Sequence, residues 1–163
     1  TGRVPRALLR DCPALQVLEL AGCRGLDGPL EALRLPALRA LDLGACGALD
    51  GGFPRGLEHC AATLEVLVLS GGDALHGGVP AALGACGRLR TLDLCGCAEL
   101  HGALPEELAR CRELVTLDVR GTNITDLPLD LPPRICVLTG AAPRYALGGN
   151  RPLETKSGRS TVW

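Results

Sequence analysis

The chain has 163 residues, is 47% apolar and carries a formal net charge of −1. That charge provides no global field favouring nucleic acid or an anionic membrane. No apolar run approaches the ~20 residues of a membrane-spanning helix. Aromatics are only 2%, fewer than an ordinary mixed core uses but enough for one in which every layer repeats the same aliphatic side chain.

The first predicted element is half a unit. GRVPRALLRDCPAL (Gly2 to Leu15) matches GGVPAALGACGRL (Gly77 to Leu89), the second half of a later unit. Five whole phrases follow: LQVLELAGCRGL, LRALDLGACGAL, LEVLVLSGGDAL, LRTLDLCGCAEL and LVTLDVRGTNI. They start at Leu15, Leu38, Leu64, Leu89 and Leu114, 23 to 26 residues apart. Recurrence at this period marks a stacked array, because one unit cannot bury its own apolar face. The opening in mid-unit and the lack of any Met lead us to expect a piece of a longer protein.

Counting from the first Leu of each unit, positions 1, 4 and 6 are apolar. Positions 4 and 6 alternate with period 2 and predict a short strand with one face inward. Stacking the units predicts a parallel sheet. Position 9 holds Cys23, Cys46, Gly72, Cys97 and Thr122; a small polar or thiol group there is expected to turn inward and bond the backbone of the bend. Position 12 is Leu26, Leu49, Leu75 and Leu100, and position 14 is Gly28, Gly51, Gly77 and Gly102, which predicts a turn with positive φ or close backbone approach. The pairs Phe53-Pro54, Val79-Pro80 and Leu104-Pro105 then open short helical segments. Cys12, Cys60, Cys86 and Cys111 close the units.

The composite phrase LxxLxLxxCxxLxGxLPxxLxxCxxL resembles the leucine-rich repeat family. Its Gly-x-apolar-Pro element is similar to the plant-type variety, and the Cys at position 9 to the cysteine-containing variety. Plant immune-receptor repeats with a GCxxLxxLP rhythm are similar too. The last unit, TNITDLPLDLPPRICVL (Thr122 to Leu138), resembles the shorter L-P-x-x-L subtype, with Ile135 lying 21 residues after Leu114. The resemblance implies an α/β leucine-rich repeat solenoid, or horseshoe, with a concave parallel β-sheet and short helical or irregular convex segments. It covers residues 1–138 as the array and leaves 139–163, rich in Gly, Pro and basic residues, as an irregular and poorly ordered tail. It further implies a module that binds a polypeptide partner on the concave strand face. The alternative is a ligand-sensing or regulatory segment of a larger immune receptor, receptor kinase or ubiquitin ligase.

The nine cysteines are odd in number and seven occupy repeat slots. They read as small buried hydrophobes, and so many unpaired thiols point to a reducing compartment and a cytoplasmic location. Cys95 sits at position 7, beside the slot residue Cys97. A structural zinc site needs a second pair, and none appears, so Cys95 reads as an incidental exposed thiol. His76 and His101 share position 13; an Asp50–His76 contact would be a surface pair worth ~0–1 kcal/mol. Asn123-Ile124-Thr125 fits the N-glycosylation sequon and also reads as an ordinary turn. No catalytic residue, metal or cofactor is expected, and neither is a nucleic-acid or membrane partner.

The outward strand positions carry the candidate binding residues. Position 5 reads Glu19, Asp42, Val68, Asp93 and Asp118; position 3 includes Val66; Arg90 and Arg120 flank them at positions 2 and 7. Two carboxylates ~5 Å apart in water repel by about 0.8 kcal/mol, and Arg39, Arg90 and Arg120 are placed to offset this. The pattern predicts a face for a basic or mixed-charge polypeptide with an apolar anchor near Val68.

Overall fold

The computed structural model describes residues 4–26, 33–46, 52–72 and 75–140. A short helix α1 (Arg6–Arg10) leads into β1 (Val17–Glu19), followed by β2 (Ala40–Asp42), β3 (Val66–Val68), β4 (Thr91–Asp93), β5 (His101–Ala103), β6 (Thr116–Asp118), β7 (Asn123–Asp126) and β8 (Cys136–Leu138). β1, β2, β3, β4, β6 and β8 form one parallel sheet in that order. The pairing is in register: Leu18 lies against Leu41, then Leu67, Leu92, Leu117 and Val137. Position 4 of each of the five whole coils therefore stacks on that of its neighbour, and Val137 continues the column in the last.

That stacking is the core. Leu38, Leu41, Leu64, Leu67, Leu89, Leu92 and Leu94 are fully buried, and positions 6 and 12 extend the same spine. Burying a Leu side chain contributes about 1.5–3 kcal/mol. The strands are only three residues long because the chain must turn directly after them. At position 8, Gly22, Gly71, Gly96 and Gly121 take φ of 73°, 65°, 76° and 69°, and Ala45 takes 53°. This column was not anticipated from the position-14 glycines. Gly77 and Gly102 of that second column do adopt positive φ; Gly28 and Gly51 lie outside the described residues, as does Asp50, the expected partner of His76.

The return paths carry 3-10 turns at Leu57–Cys60, Ala81–Ala85 and Glu106–Arg110, where short helices were expected. Two of them are preceded by the anticipated prolines, Pro80 and Pro105. Successive turns touch closely enough that a Cβ on Gly84 would run into the Glu107 carbonyl. A second sheet of two strands, β5 and β7, pairs in parallel with a register shift at Gly102/Ala103. The repeat spacing predicts five strand phrases, and neither this ribbon nor the sixth main strand. β8 pairs with β6 at an offset of 20, Thr116 against Cys136. Yet Ile135 donates its N–H to Pro132 as Leu114 does to Cys111, so the short last unit loses its residue between that bend and the strand. Residues 141–163, most of the expected tail, lie outside the described residues.

Three substitutions probe this account. Leu92→Ala is expected to cost about 3 kcal/mol or more. Gly84→Val should cost about 1–3 kcal/mol through overpacking. Ala45→Gly should instead stabilise by several tenths of a kcal/mol, because a left-handed L-residue costs about 1–2 kcal/mol and glycine entropy returns only part of it. Urea unfolding monitored by circular dichroism checks all three; a destabilised Ala45→Gly variant would contradict the turn argument.

Candidate functional site

Side chains at positions 3 and 5 stand on the outward face of the six-stranded sheet, because positions 4 and 6 are committed to the core. Register sets them in rows: Glu19, Asp42, Val68, Asp93, Asp118 and Leu138, and beside it Val17, Ala40, Val66, Thr91, Thr116 and Cys136. Val66 and Val68 are half-buried, as are Asp42 and Asp93, while Glu19 is exposed. Val17 and Val115 are 50% and 51% exposed at the margins of this face.

The acids of the row are not equivalent. Asp42 Oδ1 accepts the Gly44 N–H at 2.8 Å, Asp93 Oδ1 that of Cys95 at 2.9 Å, and Asp118 Oδ1 that of Arg120 at 3.0 Å. Each therefore holds the backbone two residues on, just before the left-handed turn, a local bond that Asp makes readily. Asp118 goes further: both its oxygens accept from the Arg120 guanidinium, at 2.6 to 3.0 Å, and it is only 5% exposed. The sequence reading placed Asp118 and Arg120 as open ligand groups; the structure closes them on each other. Arg39 and Arg90 do not offset the strand acids. Arg39 pairs with Glu65 at 2.7 Å, and Arg90 with Glu113 at 3.0 Å. Such exposed pairs contribute about 0.2–1 kcal/mol each.

The thiols divide by burial. Cys46 Sγ donates to Leu20 O at 2.8 Å and Cys97 Sγ to Leu69 O at 3.1 Å, so these slot residues bond the preceding coil. Thr122 keeps the expected local partner, Val119 O, at 2.7 Å. Burial pushes the Cys60 thiol up to about 12 and those of Cys86 and Cys111 to about 11. Two expected slots differ: Cys23 is exposed and Cys12 half-buried. Cys95 is half-buried rather than exposed. Its desolvation, with Asp118 and Asp93 nearby, raises its pKa against the opposing pull of Arg120. Because Cys97 turns inward, the two cysteines of Cys95-Gly96-Cys97 do not converge. Asn123, exposed on β7, donates from Nδ2 to Ala98 O at 2.7 Å. Among the described residues, no helix is long and apolar enough to cross a membrane, and no three or more His, Cys, Asp or Glu gather as a metal site.

No protein-family model matches the chain, and no curated protein matches it. A solved structure does, and with the parallel sheet above it defines the fold class as a leucine-rich repeat solenoid. That structure is the plant peptide hormone receptor RGFR1 in complex with RGF2, 26% identical with a TM-score of 0.73. The match covers 85% of this chain and 22% of that one, so the chain spans less than a quarter of the receptor chain's length. The match overturns the cytoplasmic reading, since a receptor for a peptide hormone points to the cell exterior or the membrane. The physical reason is plain in the thiols. Five of the nine are buried, and a thiol sealed in a slot stays unpaired whatever the redox poise around it.

The buried thiols also fix a pH dependence. An unfolded thiol ionises near 9.0, whereas Cys60, Cys86 and Cys111 keep their protons to about 11 or 12 when folded. Above pH 9 the unfolded chain gains thiolates that the folded chain lacks. Stability is therefore full below about pH 9 and falls from there towards pH 11. Urea midpoints at pH 8 and pH 10.5 should show the drop, and changing these three cysteines to Ala should flatten it.

Proposed function

We propose that the chain is a polypeptide-binding array that holds its partner on the outward, concave face of the six-stranded sheet. The observation that carries this reading is the centre of that face. Val66 and Val68 form a half-buried apolar floor, with Asp42 and Asp93 on either side of Val68, the arrangement of an apolar anchor with a polar rim. Fold alone would not decide function. Likeness to a receptor in complex with a peptide hormone supports a peptide or protein ligand, and supports the ligand-sensing form of the reading over a passive scaffold. A role as part of a larger receptor belongs to the same proposal.

The test is selection of displayed peptides on the purified 163-residue chain, followed by calorimetric titration of those enriched. Val68→Arg is expected to weaken their binding at least about tenfold, the scale of losing one central anchor. Glu106→Arg, on the return path, should leave it unchanged, and both variants should melt near the wild-type temperature. Selected peptides that bind Val68→Arg as tightly as wild type would refute this face as the binding surface.

A further inference from the structure

The polypeptide-binding reading leaves open what kind of segment the face accepts, and the bonding of its carboxylates narrows it. Along the central row, Asp42 and Asp93 stand on either side of Val68, two strands apart. Strands lie about 4.8 Å apart, so these two positions are separated by about 9.6 Å. Both carboxylates are oriented from within, each by one backbone N–H on Oδ1, which leaves the second oxygen of each for a ligand. The neighbouring acid Asp118 is already neutralised by Arg120. The arginines beside the row, Arg39 and Arg90, are tied to Glu65 and Glu113. The face thus offers a fixed negative charge at Asp42, a second at Asp93 within electrostatic reach of Arg120, a small apolar floor between them, and no free acid beside Asp93 on the β6 side.

We propose that the partner segment crosses the strands in a polyproline-like extended conformation, with basic side chains at positions i and i+3 seated on Asp42 and Asp93. In that conformation residues three apart lie on one side of the chain and about 9.3 Å from each other, which matches the spacing of about 9.6 Å between the two strand positions. A β-extended segment does not match, since its same-side residues recur about every 6.6 Å. The two residues between the basic pair lie over Val66 and Val68. Those valines, with Ala40 and Thr91 beside them, present no long side chain that would lift the segment off the sheet.

This inference rests on the proposed function, and its test is separable from that one. Two capped, dye-labelled heptapeptides of equal composition are titrated by fluorescence anisotropy at low salt: Gly-Lys-Pro-Val-Lys-Pro-Gly, and Gly-Lys-Lys-Pro-Val-Pro-Gly. The first should bind about fivefold tighter, the scale of one well-placed exposed ion pair. The preference should vanish in the double variant Asp42→Asn with Asp93→Asn, whose amide oxygens keep the backbone bonds while losing the charge. It should survive in Glu106→Gln. Equal affinity for the two peptides, no binding of either, or a preference that persists in the double variant would each overturn the spacing proposal. None of these results touches the Val68→Arg test, so the broader reading could stand while this one fell.

Discussion

Equivalent leucines lying on one another in register are what the rest of the molecule depends on. Because Leu41, Leu67, Leu92 and Leu117 stack at the same height, each coil must leave the sheet at the same point. The left-handed residues at position 8 make that exit. Their backbones continue the ladder: Gly22 N–H reaches Gly44 O at 2.7 Å, Gly71 reaches Cys95 O at 2.7 Å and Gly96 reaches Arg120 O at 2.7 Å. The turn is thus part of the sheet's hydrogen bonding. The three aspartates of the outward row arise from the same demand, since each bonds the residue immediately before the turn. Their placement is structural first and available to a ligand second.

This double use explains the electrostatics of the face. A row of like charges on neighbouring strands is destabilising, and the chain limits it in three ways. Val68 interrupts the row, Arg120 neutralises Asp118, and backbone N–H groups share the charge of Asp42 and Asp93. The arginines one step away are occupied with glutamates of the next coil. A face built this way carries local charges in fixed places while the chain as a whole stays near neutrality.

Much of the architecture was legible in the sequence because it is periodic. The inward positions 1, 4 and 6, the parallel sheet and the prolines that open the return turns all follow from spacing. What escaped was set by contacts between coils. The β5–β7 ribbon depends on two bends meeting, and β8 on a shorter last unit whose strand lies one residue closer to its bend than in the unit before. The position-8 column is present as Gly22, Gly71, Gly96 and Gly121, but Ala45 breaks its pattern, whereas position 14 is glycine in each of the first four units. On the binding face, the residues were readable and their pairings were not. Arg39, Arg90 and Arg120 have several acids within reach, and only coordinates decide that Glu65, Glu113 and Asp118 are taken. The thiols misled for a related reason: pairing state in a sequence looks like a report on redox conditions, whereas here it reports enclosure.

The variable lengths of the return paths bear on how such a chain can change. The L-x-x-L-x-L phrase is held constant, while the distance between phrases ranges from 23 to 26 residues and the final strand sits at an offset of 20. One residue gained inside a strand would send its core leucines to solvent; one gained behind the sheet is absorbed. Genetic drift in length is thereby channelled to the rear of the molecule. Duplication or excision of a complete winding would lengthen or shorten the recognition surface by a single rung without disturbing the chemistry of those that remain.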